Sequence, residues 1–199
     1  MKIIIGTILS ILLISLISSV DAKDVCTGLT PANGTQIANV ASCSKTALGQ
    51  IPTVNHMTST IITKPEFGQT LPINKNFTVE VKIINLHTGF FSNPETQYYS
   101  FSQTLDKNGK IEGHSHITVQ YLGLKATPDN PPDPRTFAFF QGLNAKAVDG
   151  TLSQTLKLTE AGFYRICTMA ASFSHQPLIM PVAKRGSQDD CIRIRISEH

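Results

Sequence analysis

Two histidines separated by a single residue, His114 and His116, are the side chains in this sequence best suited to chemistry. They lie in the stretch 113–122, where β-branched residues and alternating polarity predict one β-strand. Successive side chains of a strand point to opposite faces, so both imidazoles share one face, which we predict to be the more solvated one. An imidazole pair of this kind can chelate zinc or copper.

A metal site requires at least one further ligand, and three of the remaining histidines could supply it from loops. These are His175, His87 and His56. We predict His114, His116 and His175 as the metal-ligating set, with zinc or copper as the ion. The alternative is that the strand pair makes ordinary hydrogen bonds on a polar face and binds no metal.

Two adjacent tyrosines, Tyr98 and Tyr99, form a second candidate site. Their rings could stack on a sugar, whereas phenylalanines are expected mostly in the core. No Gly-x-Ser-x-Gly pattern occurs, and Ser115 would point away from the histidines on either side of it. We therefore assign no catalytic residue and favour a non-enzymatic role.

Short strands separated by turns dominate the predicted elements. Residues 77–83 alternate apolar and polar side chains without a break, which is typical of an antiparallel sheet with one solvated face. Asn108-Gly109 is a strong hairpin signal ahead of the histidine strand. About seven such strands and no long helix predict an all-β fold, an antiparallel β-sandwich of immunoglobulin-like architecture.

The chain begins with one lysine, an apolar run and small residues, which together are typical of a secretory signal peptide over residues 1–22. An uncleaved signal anchor is the alternative, because the apolar run is nearly long enough to span a bilayer. No second apolar run occurs, so we expect no membrane span in the mature chain. We predict an irregular N-terminal segment at 23–56, a β-sandwich domain at 57–199 and a secreted, extracellular protein.

Four cysteines, an even number, predict disulfide bonds in a secreted chain. Three pairings are possible. We favour Cys26 with Cys43 and Cys167 with Cys191, because each of these bonds closes a short loop. The cysteine spacings do not fit a zinc site, which uses closely spaced pairs.

Several short motifs occur in order across residues 55–197. They are Thr88-Gly89-Phe90-Phe91, Gly113-His114-Ser115-His116, Phe137-Ala138-Phe139-Phe140-Gln141-Gly142, His175-Gln176-Pro177 and Gly186-Ser187-Gln188-Asp189-Asp190-Cys191. With these motifs the sequence resembles a family of small secreted fungal proteins, some of which carry a ribosomal-protein label. The resemblance implies a secreted fungal protein of the cell surface or of host contact, and it implies no mechanism.

The sequence thus favours a protein that binds a partner outside the cell, a cell-wall glycan or a host surface component, without catalysis. The alternative function is an extracellular metalloprotein, an enzyme included, that uses the His-x-His pair. Asn33 and Asn76 lie in N-glycosylation sequons, as expected for a secreted glycoprotein. A formal net charge of +3 is too small to indicate nucleic acid as a partner.

Overall fold

Residues 25–198 are described by the computed structural model, and the predicted signal peptide, residues 1–22, lies outside them. The regular structure of the described residues consists of twelve strands and a short 3-10 helix, Val54–His56. In chain order the strands are β1 (Thr30–Pro31), β2 (Ser42–Cys43), β3 (Ser59–Lys64), β4 (Thr70–Pro72), β5 (Asn76–Ile84), β6 (Leu86–Thr88), β7 (Ile111–Gly123), β8 (Phe139–Leu143), β9 (Thr151–Lys157), β10 (Gly162–Thr168), β11 (Ala171–Ser172) and β12 (Cys191–Ser197).

Besides the short β1–β2 pair, the described strands form two sheets, and strand β7 is the centre of the larger one. It pairs with β6, β8, β10 and β11, and the sheet continues from β10 through β12 to β4. The smaller sheet is antiparallel and has the order β3-β5-β9. Most pairs in the larger sheet are antiparallel, whereas β6–β7 and β12–β4 are parallel.

One apolar core lies between the two sheets. Strand β5 contributes Val79, Val81 and Ile83, and β7 contributes Ile117 and Val119, all of them buried. The alternation in 77–83 therefore directs every second side chain into the core, and full burial of such a side chain contributes about 1.5–3 kcal/mol. The predicted all-β fold, an antiparallel sandwich, is confirmed.

Strand lengths divide into two groups. Within residues 25–198, seven strands have five or more residues, and the remaining five have two or three. The longer group agrees with the number predicted from the sequence. Two of the short strands, β6 and β11, pair with β7 beside the histidines. A strand of two or three residues is too short to show the alternation of apolar and polar side chains by which strands are predicted.

Two disulfide bonds join Cys26 to Cys43 and Cys167 to Cys191, the pairing favoured from the sequence. The first closes a loop in the N-terminal segment. The second links directly paired residues of the neighbouring strands β10 and β12. It therefore lies within one sheet, whereas the disulfide of antibody domains joins two sheets.

The N-terminal segment, residues 25–56, contacts the loop before β7. The Tyr98 N–H donates a hydrogen bond of 2.7 Å to the Gly34 carbonyl oxygen, and the Gln103 side chain donates one of 2.7 Å to the Gln50 carbonyl oxygen. Regular elements in this segment have at most three residues. Among residues 25–198, no helix combines the length and the apolar character needed to cross a membrane.

Candidate metal site

Strand β7 places His114 and His116 side by side, as their spacing predicts. Their ring centroids lie 4.7 Å apart. Strand β11 pairs with β7 at this point, with Ala171 opposite His114. Gly113 permits the close approach of the two strands, because a Cβ atom at this position would collide with the carbonyl oxygen of Ala171.

His175 joins the pair from the turn that follows β11. In this turn the His175 N–H donates to the Ser172 carbonyl oxygen at 3.0 Å, and the Ser172 N–H donates to the Gln176 carbonyl oxygen at 2.9 Å. The φ of His175 is 69°, a left-handed conformation that costs a non-glycine residue on the order of 1 kcal/mol. The turn holds this conformation and places the His175 ring centroid 4.5 Å from that of His114.

Each of the three imidazoles donates one ring N–H to a backbone carbonyl. The bonds run from His114 Nδ1 to Phe90 at 3.0 Å, from His116 Nδ1 to Met169 at 3.0 Å and from His175 Nε2 to Ser92 at 2.9 Å. A carbonyl oxygen only accepts, so these nitrogens carry the protons of the neutral rings. A lone pair therefore remains on His114 Nε2, His116 Nε2 and His175 Nδ1.

Ring nitrogens of the three histidines lie close together. One ring nitrogen from each of the three histidines lies within 4.8 Å of the others, and His114 Nε2 is 3.0 Å from His175 Nδ1. Two lone pairs at this distance repel unless a proton or a metal ion lies between them. Tetrahedral zinc separates its nitrogen ligands by about 3.3 Å, so small side-chain shifts would admit the ion. Histidine ligands also commonly donate their second N–H to a carbonyl, as all three do here.

Burial keeps the strand histidines neutral. His114 is fully buried, and His116 and His175 are half-buried. Burial, together with the neighbouring His116 and His175, lowers the pKa of His114 to about 3. Burial also lowers the pKa of His116. Neutral imidazole is the form that binds metal, so these rings need not release a proton at neutral pH.

The prediction that this strand face is the more solvated one is wrong for His114. The loop 89–92 and the turn after β11 cover the ring, through Phe90 on one ring nitrogen and His175 on the other. Both covering segments are far from His114 in sequence. Alternation within one strand therefore predicts which side chains share a face, but not what packs on that face.

Tyr98 and Tyr99, the predicted ligand-binding pair, lie beside the histidines. The Tyr98 ring stacks on Tyr99 with centroids 4.0 Å apart and on His175 at 5.8 Å. Both tyrosines are half-buried, so they do not form a flat exposed platform for a sugar. They border a cavity of about 430 Å³ that His116 and His175 also border. The two sites predicted separately thus occupy one place in the fold.

The other two histidines considered as third ligands lie elsewhere. His87 Nδ1 is 3.2 Å from the Asp106 carboxylate, and His56 Nδ1 is 2.9 Å from the Thr53 hydroxyl. Neither belongs to the cluster of candidate ligands. Of the three alternatives, the fold brings only His175 to the strand pair.

Phe140 and Asp189 border the same cavity, although neither was predicted as a site residue. Phe140 stacks on His116 with ring centroids 5.3 Å apart. Asp189 Oδ1 accepts hydrogen bonds from the Ala170 N–H at 2.7 Å and the Thr168 hydroxyl at 3.0 Å, and burial raises the pKa of this carboxyl. The aromatic stretch 137–140 and the acidic pair 189–190 are visible in the sequence, but no local pattern places them beside the histidines.

The sequence model of the CLU5d N-terminal domain matches residues 60–197, which include all three histidines. The chain belongs to this family. "Pathogenicity cluster 5 protein d" of the fungus Colletotrichum graminicola is 42% identical to this CLU5d-type chain over 174 residues. The alignment covers 86% of the chain and 36% of the relative, so the chain spans little more than a third of that protein. Membership of a fungal family, expected from the motifs, is confirmed.

Solved structures similar to this chain are more distant in sequence. A superoxide reductase (neelaredoxin) from Ignicoccus hospitalis is 12% identical with a TM-score of 0.33, covering 70% of this chain and 80% of that one. The CARDB domain of PF1109 from Pyrococcus furiosus is 13% identical with a TM-score of 0.35, covering 71% and 95%. Because both TM-scores are below 0.5, no function follows from these similarities.

Proposed function

We propose that this protein is an extracellular metal-binding protein that holds one zinc or copper ion through His114, His116 and His175. The observation that carries the proposal is the pair of facing nitrogens, His114 Nε2 and His175 Nδ1, each in a ring whose other nitrogen donates to a carbonyl. A histidine cluster built only for hydrogen bonding would place an N–H opposite a lone pair. Here a cation between the nitrogens removes the repulsion.

The donor set indicates the class of metal. Among residues 25–198, the converging histidine, cysteine and carboxylate groups are these three imidazoles alone. Imidazole suits zinc and copper, whereas calcium and magnesium require several oxygen ligands. Copper(II) binds nitrogen ligands more tightly than zinc does, so the metal available outside the cell decides which ion occupies the site.

Several observations support an extracellular role. The chain forms two disulfide bonds, which persist in oxidising compartments. The sequon residues Asn33 and Asn76 are both exposed and thus accessible to glycosylation. The name of the fungal relative refers to pathogenicity, so we place metal binding at the contact between fungus and host. A glycan partner receives less support, because the two tyrosines lie in the wall of the cavity rather than on an exposed surface.

The proposal is tested by metal titration of the untagged, oxidised chain with zinc and, separately, copper, followed by calorimetry and elemental analysis. We expect one ion per chain for the wild type and no specific binding for the His114→Ala/His116→Ala double variant. His175→Asn should weaken binding at least about tenfold, since one of three ligands is lost. Asparagine tolerates the left-handed backbone conformation at this position, so the turn should persist.

His87→Asn is the matched control, because it removes a histidine outside the cluster and should bind the ion as the wild type does. Circular dichroism of each variant checks that the sheets are intact. Failure of the folded wild type to bind either ion would refute the proposal. Unchanged affinity in folded His175→Asn would refute the three-histidine site.

A further inference from the structure

The position of the cavity relative to the three imidazoles determines where a bound metal is accessible. His114 is fully buried and lies on the inner side of the cluster. His116 and His175 border the cavity of about 430 Å³, a volume within the range of small-molecule sites. A metal held by the three rings would therefore be closed off on the side of His114 and open toward the cavity.

No fourth histidine, cysteine or carboxylate of the described residues joins the cluster. The four cysteines are paired in disulfides, and the metal-ligand cluster contains no carboxylate. Asp189, the carboxylate that borders the cavity, uses Oδ1 to accept hydrogen bonds from Ala170 and Thr168. Three protein ligands and one open position are the arrangement of catalytic and ligand-binding zinc sites, whereas structural zinc sites have four protein ligands.

The ligand set also fixes the local charge. Three neutral imidazoles contribute no negative charge, so the ligands themselves leave the charge of a divalent ion uncompensated. An anionic oxygen donor is then favoured at the open position over a neutral one, because it compensates this charge in a partly buried environment.

Two aromatic rings of the cavity lining stack on the histidines. Phe140 stacks on His116 with an interplanar angle of 28°, and Tyr98 stacks on His175 with an angle of 29°. Pro94, Pro177 and Ala171 extend the apolar lining. Flat apolar walls that flank a metal position fit a planar ring better than a branched or strongly hydrated molecule.

From the open position, the uncompensated charge and the aromatic walls, we propose that the cavity binds an aromatic molecule that coordinates the metal through an anionic oxygen. Carboxylates, hydroxamates and phenolates attached to an aromatic ring belong to this class. The inference rests on the proposed metal site and specifies the ligand of that same site.

Cobalt(II) provides a spectroscopic test, because its visible absorption changes when a ligand enters its coordination sphere. The untagged chain is loaded with cobalt(II), its stoichiometry is measured, and it is titrated with benzohydroxamate and with acetohydroxamate. The two probes share the metal-binding group and differ in the aromatic ring. We expect both to change the spectrum and benzohydroxamate to bind at least about tenfold more tightly, since only its ring contacts the aromatic walls.

Two wall variants and one control localise the effect. Phe140→Leu and Tyr98→Leu should each reduce the preference for benzohydroxamate to about threefold or less, with cobalt stoichiometry unchanged. Phe67→Leu is the matched control, because Phe67 is exposed and lies outside the cavity lining, and it should keep the full preference.

The outcomes separate this inference from the metal site itself. Absence of cobalt binding would refute the metal site, and the ligand inference with it. If one cobalt ion binds and neither probe changes its spectrum, the metal site stands, but the inference that the metal has an open coordination position is refuted. Equal affinity for the two probes would refute the inference that the ligand is aromatic. The same inference would be refuted if neither Phe140→Leu nor Tyr98→Leu reduced the preference for benzohydroxamate.

Discussion

His114 Nε2 and His175 Nδ1 lie 3.0 Å apart although 61 positions separate the two residues in the chain. The first belongs to the central strand β7, and the second to a turn with a left-handed backbone conformation. Each ring donates its other N–H to a main-chain carbonyl oxygen. The main chain therefore fixes the orientation of both rings.

The stability of the metal-free protein should fall as the pH falls below the ordinary histidine range. Burial lowers the pKa of His114 to about 3, from an ordinary value of 6.5. Below pH 6.5 the unfolded chain therefore binds a proton that folded His114 does not accept. The free energy of unfolding should decrease by up to about 1.4 kcal/mol per pH unit from this residue, and His116 acts in the same direction.

Urea unfolding between about pH 6.5 and pH 5 measures this slope while most carboxylates remain ionised. The His114→Gln variant should show a shallower dependence over the same range, because it cannot bind the proton in either state. Parallel curves for the wild type and His114→Gln would contradict the prediction, whatever the absolute stability of the variant.

Gly113→Ala should disrupt the site without abolishing the fold. The new Cβ would collide with the Ala171 carbonyl oxygen and push β11 away from β7. Since the turn that carries His175 follows β11 directly, the third ligand would move out of reach. We expect metal affinity to fall at least about tenfold and approach that of His175→Asn.

Gly186→Ala is the matched control for this substitution. A Cβ atom on Gly186 meets no neighbouring atom, so this variant should bind metal and unfold as the wild type does. Calorimetry of both variants decides the outcome, and wild-type affinity in Gly113→Ala would show that β11 does not position His175.

The two disulfide bonds should contribute unequally to the free energy of unfolding. Cys167 and Cys191 lie 24 positions apart and link two core strands, so replacing both with serine should lower the free energy of unfolding by about 3 kcal/mol. The Cys26→Ser/Cys43→Ser variant should lose less than about 1 kcal/mol. The reason is that the core cluster contains no residue from 25–56.

Guanidinium unfolding followed by circular dichroism suits both variants, since the chain has no tryptophan for fluorescence. The Cys26→Ser/Cys43→Ser variant should instead weaken benzohydroxamate binding, because Gln36 of the closed loop borders the cavity. If the Cys26→Ser/Cys43→Ser variant lost more free energy of unfolding than the Cys167→Ser/Cys191→Ser variant, the assignment of the core would be contradicted.

Local patterns were sufficient to predict the main sheets. Strand β5 alternates apolar and polar residues, and its apolar set, Val79, Val81 and Ile83, lies in the core. The spacing of His114 and His116 likewise predicted that their rings share a face. These predictions succeed because strand periodicity depends only on neighbouring residues.

The completed site depends on contacts that local patterns do not contain. Selection of His175 over His87 follows from the pairing of β11 with β7 and from the turn after it. The burial of His114 follows from the loop 89–92 and from this same turn. Long-range packing of this kind has no signature in periodicity or residue spacing.

The oxygens that orient the three imidazoles belong to the main chain of Phe90, Ser92 and Met169. Every amino acid presents the same carbonyl, so substitutions at these three positions can accumulate during evolution without removing an acceptor. Relatives can therefore keep the orientation of the three rings while the residues that accept these hydrogen bonds diverge. In a comparison of homologous sequences, the three histidines and the glycine at position 113 should vary less than Phe90 and Met169, whose side chains make no bond to the rings.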